Sequence, residues 1–151
     1  MGSDSKFRRR SKRRGATQIE FVLSIFIVIF VIFGIIEIST AVYALNVLGD
    51  AAREGVRYAI VHGSGNTNCS GGVSPSGCDP TGANVSAVVQ DYAKYSLHDT
   101  SSMTVNVSYV DGNNAPQSLV KVDVSYPYIA WIKLPWPNPT LRASAQGRIV
   151  H

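Results

Sequence analysis

The chain is poor in the side chains that do chemistry. It has two cysteines and three histidines in 151 residues. His62, His98 and His151 stand far apart and show no metal-ligand spacing. There is no Ser-His-Asp order, no Cys-His pair with a base to serve it, and no glycine loop of the kind that cradles phosphate. A zinc site needs four ligands, and beside Cys69 and Cys78 only His62 is near. No internal repeat is present. These absences exclude the common hydrolase, nucleotide-binding and zinc classes. They point to a protein that is not an enzyme, with no metal, no cofactor and no small-molecule substrate.

Charge is also missing where it would be expected. Phe21 to Ile36 has no charged residue, while seven basic side chains crowd into residues 1–14 against Asp4 alone. From Ala16 onward seven basic and nine acidic residues leave a balance of −2, so the basic pI belongs to the leader. A block such as Arg8 to Arg14 suits nucleic acid, but directly before an apolar run it is better read as the cytoplasmic flank of a membrane helix. No nucleic-acid partner is expected. Counted from Thr17 to Ile36, a helix spans about 30 Å, the thickness of a hydrocarbon core. Glu20 and Glu37 bracket the run and so avoid the bilayer centre.

Beyond the run the pattern becomes one-sided. Ala41, Leu45, Leu48, Ala52, Gly55 or Val56, and Ala59 recur at helical spacing, opposite Asn46, Asp50, Arg53 and Arg57. The apolar face is made of small residues. Ala51, Ala52, Gly55 and Ala59 form a packing face, either for another subunit or for a sheet of the same domain. His62-Gly-Ser-Gly-Asn ends the helix.

Residues 62–83 read as a loop rich in Gly, Ser, Asn and Pro. Cys69 and Cys78 within it are expected to form a disulfide on the extracytoplasmic side, stabilising by about 2.7 kcal/mol on chain-entropy arithmetic. Asn84 to His98 reads as a second helix with Asn84 as N-cap. Alternation at Met103 to Tyr109, Leu119 to Tyr126 and Leu141 to Gly147 predicts three strands. Asp111-Gly-Asn-Asn-Ala-Pro between the first two is a turn, since it lacks the alternating carboxylates of a calcium loop. The prolines of Tyr126 to Pro139 exclude a central strand there, leaving an aromatic loop over the sheet edge or a contact surface. The expected fold class is α+β: a long N-terminal transmembrane-to-extracytoplasmic helix, a short second helix and a small antiparallel sheet of about three strands. The expected division is a disordered leader (1–15), a transmembrane helix (16–38) and an extracytoplasmic domain (39–151), with the first helix running to about residue 61.

Gly15-Ala-Thr-Gln-Ile-Glu20, the apolar run to Gly34-Ile-Ile-Glu37, and Asp50-Ala-Ala-Arg-Glu-Gly-Val-Arg-Tyr-Ala59 together resemble the TadE-like minor pilins (pseudopilins) of tight-adherence, or Flp, pili. The resemblance covers residues 15–60 closely. It implies cleavage between Gly15 and Ala16 by a prepilin peptidase, and places Glu20 at the fifth mature position. There its carboxylate pairs with the new Ala16 ammonium of a neighbouring subunit and sets register. Ala16 departs from the Phe or Met often found first in mature pilins. The implied partners are the inner membrane, the prepilin peptidase, other pilins or pseudopilins and the Tad inner-membrane assembly platform. The implied location is the bacterial cytoplasmic membrane, single-pass with the N-terminus inside, or the pilus itself. The role would be assembly or priming of a pilus for adhesion or secretion. Two other readings stand beside it: an envelope binding domain or small enzyme released after Ser39-Thr-Ala41, and an uncleaved signal-anchored domain.

Overall fold

Helix α1 takes up more than a third of the chain, from Phe7 to Val61 in the computed structural model. The structure describes residues 7–66, 79–131 and 138–150, with side chains from Thr17 onward. The backbone is helical from Phe7, where the sequence had suggested a disordered leader. Arg and Lys are good helix formers, and extending an existing helix carries no nucleation cost. Val, Ile and Phe are only moderate helix formers in water. In hydrocarbon, however, each backbone N–H and C=O needs an internal partner, and a helix supplies them all. The hydroxyls follow the same rule, Ser24 Oγ donating to Glu20 O (2.9 Å) and Ser39 Oγ to Ile35 O (2.8 Å).

The chain forms two compact units, residues 1–39 and 40–151. The second contains the rest of the secondary structure: α2 (Ala83–Lys94) and strands β1 (Thr104–Tyr109), β2 (Leu119–Pro127) and β3 (Thr140–Arg148). The strands form an antiparallel sheet in the order β1-β2-β3. The fold is thus α+β, with a long apolar N-terminal helix, a short second helix and three antiparallel strands.

Register makes the core. Val107 of β1 and Ala145 of β2's other neighbour flank Val122, while Val105 and Ala143 flank Val124. Period-two alternation sends all of them to one face. Val120, Val122 and Val124 are fully buried there, with Leu48 and Ala51 of α1 and Val85 and Val89 of α2. The other face carries Asn106, Lys121, Asp123, Arg142 and Ser144, with a Lys121–Asp123 ion pair at 2.9 Å.

Helix α2 corrects the expected cap. Asn84 lies inside the helix, which ends at Lys94 rather than His98. The N-cap position is Gly82, at φ 76°, and Asp79 reaches forward so that its Oδ2 accepts from Val85 N–H at 2.9 Å. A side chain at Gly82 would be strained and would run into Val107. Val85, Val89 and Ala93 form its buried side, while Tyr92 and Tyr95 are 42% and 86% exposed.

The central strand corrects a second expectation, for it runs through Tyr126 and Pro127, paired with Leu141 and Thr140. β1 pairs with β2 only as far as Ser125. Pro127 therefore occupies a place where β2 has a single neighbour, and its missing N–H breaks no ladder.

Candidate functional site

Three places were singled out by sequence. The first is Gly15 to Glu20. Its backbone is part of α1, and Glu20 is exposed on the helix surface. After it the side chains from Phe21 to Phe33 are all exposed, Phe26 by 66% and Ile32 by 51%. The helix is long and apolar enough to cross a membrane. A carboxylate at the start of such a surface sits in the first turns of the apolar stretch, away from the bilayer centre.

The second place is the small-residue face. Ala51 and Ala52 are fully buried and Ala59 is 3% exposed. The partner is within the chain. A methyl group at Gly55 would meet the side chain of Val89, with Val85 and Val122 close behind. Across the sheet, a methyl group at Gly147 would come within 2.7 Å of Val56 and 2.9 Å of Ile60. Of the two uses left open by the sequence, the local one is what the fold displays. Small residues let helix, helix and sheet approach at backbone distance, and the face is not available to another subunit. The opposite face is solvated, with ion pairs Asp50–Arg53 (2.9 Å) and Glu54–Arg57 (3.4 Å).

The third place is the pair Cys69 and Cys78, which lies outside the described residues.

Sequence reasoning did not assemble a fourth feature. At the end of the second unit where α1 enters it, Thr40, Tyr43, Leu97, Tyr126, Tyr128 and Trp131 line an open groove of about 450 Å³. Tyr128 is buried; its hydroxyl lies 2.6 Å from Thr40 Oγ1, and its N–H donates to Pro139 O at 3.0 Å. The bond between the Tyr128 hydroxyl and Thr40 Oγ1 ties the segment after β2 to α1. The aromatic richness of Tyr126 to Trp131 was visible in the sequence, but its meeting with residues 40–44 was not. Asp99 is at the rim. The Ser101 backbone N–H, donating to its Oδ1 at 2.9 Å, holds its carboxyl below the usual carboxylate range.

The other end of the unit is polar and tightly bonded. Asp111 Oδ2 accepts from Leu119 N–H (2.8 Å), and Asn113 Oδ1 accepts from Ala115 N–H (3.0 Å) and Ser118 Oγ (2.7 Å). The loop's carboxylate and amide oxygens are thus used to close the turn. Nearby, Tyr109 donates its hydroxyl to the Asp79 backbone oxygen at 2.6 Å. Burial, and after it the Asp79 charge, push the phenol up to about 12. Among the described residues no group of three or more His, Cys, Asp or Glu is arranged to hold a metal ion.

Residues 15–57 match the family of TadE-like proteins. The match spans Gly15, Glu20, the apolar run and the start of the small-residue face. With the apolar length of α1 it fits a membrane-anchored protein. No curated protein and no solved structure matches significantly.

Proposed function

We propose that this TadE-like chain is a minor pilin or pseudopilin that takes part in assembling or priming a Tad/Flp-type pilus for adhesion or secretion. It is a structural component rather than an enzyme. The observation that carries the reading is that the family match begins at Gly15, where the basic leader gives way to the exposed apolar helix. On this reading the leader stays in the cytoplasm, because its seven basic residues resist translocation. A prepilin peptidase cuts between Gly15 and Ala16. The freed Ala16 ammonium then meets the Glu20 carboxylate of a neighbouring subunit. In hydrocarbon an unpaired charge is costly, so a subunit one register out would be disfavoured. The folded second unit stands on the extracytoplasmic side, where a Cys69–Cys78 bridge would persist. The partners are the peptidase, other pilins or pseudopilins and the inner-membrane assembly platform.

Intact mass and N-terminal sequencing of the mature protein test this. A start at Ala16 is expected, and Gly15→Leu should abolish the cut and the pilus together. A start at Val42 would assign the chain to ordinary secretion, and an uncut leader to a plain anchor. Normal processing of Gly15→Leu would remove the assigned cleavage site.

A further inference from the structure

The sheet has two edges, and only one of them is guarded. β2 lies between its neighbours, so β1 and β3 each turn one row of backbone groups away from the ladder. Along β1 that row is short and overhung. Tyr109 O accepts from Gly112 N–H (3.0 Å), the Tyr109 hydroxyl bonds the Asp79 backbone oxygen, and Val107 lies against Gly82 at the start of α2. Asp79 to Gly82 thus close that side.

The edge of β3 is different. Tyr128 N–H donates to Pro139 O (3.0 Å) and Ile149 N–H to Ser118 O (3.0 Å), which sets the phase of the strand. Odd-numbered residues from Leu141 to Gly147 turn their N–H and C=O groups to β2. Thr140, Arg142, Ser144, Gln146 and Arg148 turn theirs outward. The next outward amide, that of Val150, reaches outside the sheet to Ile60 O (2.9 Å). Before it, no described residue bonds the outward backbone row. The usual guards of an edge are missing as well. β3 has no proline and no lysine, it pairs with β2 without a bulge, and its core-facing side chains are uncharged. Its middle, Ala143 to Gly147, has no bulky side chain to keep a second backbone away.

Charge sets the chemistry of what can lie there. Arg142 and Arg148 stand exposed on one face of β3, six residues and about 20 Å apart. Neither makes an ion pair among the described residues, and Asp123 on that face is held by Lys121 at 2.9 Å. A strand along this edge with two carboxylates six residues apart would face both guanidinium groups. This chain has no such segment: no two of its acidic residues stand six apart, and its closest pair, Asp50 and Glu54, lies in α1. The edge strands of a second copy would be β1, which is uncharged, and β3, which is basic.

We propose that the β3 edge is a docking strand for an extended acidic segment of a different protein, which adds a fourth strand to the sheet. Main-chain hydrogen bonds to the outward row supply the attachment, and carboxylates opposite Arg142 and Arg148 supply the choice of partner. On the other face the added strand lies beside the half-buried Ala143 and Ala145.

The test uses the full chain in detergent micelles and the peptide Glu-Val-Thr-Val-Thr-Val-Glu, read by residue-resolved hydrogen exchange. Without peptide, the outward amides of Arg142, Ser144, Gln146 and Arg148 should exchange fast, and the inward amides of Ala143, Ala145 and Gly147 slowly. Peptide should slow the outward set at least about tenfold. The same peptide with lysine in place of glutamate should slow it far less, and N-methylation of every internal peptide amide should abolish the effect. Arg142→Glu together with Arg148→Glu should reverse the preference between the two peptides. Gln146→Pro removes one outward donor and no bond to β2, so the inward amides should stay protected while the response to peptide is lost. Slowing that survives N-methylation or Gln146→Pro would be a charge contact without strand addition, and overturns the docking strand. Equal slowing by both peptides overturns the acidic partner. Slowing that appears without peptide and grows with protein concentration assigns the edge to a second copy instead. No slowing by either peptide at millimolar concentration overturns the docking strand outright.

Discussion

The two lengths of α1 share one backbone conformation and bury nothing alike. Before Ser39 the apolar side chains are exposed around the helix; after it Leu48, Ala51 and Ala52 are fully buried and Arg53 and Arg57 are solvated. The first length uses large branched and aromatic residues, and the second buries alanine and glycine. The difference reflects what each must meet. Lipid chains adapt to any apolar outline, so side-chain size there is free. A folded core packs near crystal density, so shape there is constrained.

That contrast can be broken by mutation, and the largest effect is expected on the packed side. Leu48→Ala should lower the unfolding free energy by about 2–5 kcal/mol, the range for deleting a buried leucine side chain. Phe26→Leu, although it also removes apolar volume, should leave denaturant unfolding of the folded unit within about 0.5 kcal/mol of the original. Equal losses would mean that the first length is also packed by protein. Added volume should follow the same divide. Gly55→Val forces a side chain against Val89 and should cost about 1–3 kcal/mol by chemical denaturation. Gly34→Val, where the space is open, should cost far less.

A smaller effect is expected at alkaline pH. An unfolded tyrosine ionises near pH 10, whereas Tyr109 holds its proton to about 12. Between those values the folded state binds more protons than the unfolded one. Its stability is therefore complete below about pH 10 and falls as pH rises towards 12. Because the ring is only half-buried, solvent screening reduces the size of the drop. Tyr109→Phe should flatten this part of the pH profile and cost about 0.5–1.5 kcal/mol at neutral pH for the lost hydrogen bond. The smallest effect belongs to the exposed ion pairs. Asp50→Asn should shift stability by no more than about 0.5 kcal/mol, and a larger shift would show that Arg53 does more than pair at the surface.

Much of the fold was legible because its signals are local. Alternation at Val120, Val122 and Val124 needs only period two and β-branched residues to announce a strand. The cap of α2 was missed because its acceptor, Asp79, comes from a stretch that reads as loop, while Asn84 had the right residue type in the wrong place. Pro127 was misjudged because a proline forbids only the ladder bond its own nitrogen would make. Whether that bond is needed depends on where β1 stops, and β1 is not next to it in sequence. The candidate site divided in the same way. The Gly15–Glu20 motif is a local pattern, whereas the groove joins Thr40 to Tyr128 across most of the chain.

By itself, then, the sequence determined a basic N-terminal stretch, an uncharged apolar helix, its one-sided continuation and the strand pattern that follows. Each is written in composition or period over a few turns. Only the tertiary structure decided that the alanine face is closed by α2 and the sheet, and that the aromatic segment gathers at the end where α1 enters the folded unit. Small residues permit close approach without naming what approaches. The Thr40–Tyr128 bond and the side chains against Gly55 supply that answer, because they bring together residues that no local pattern relates.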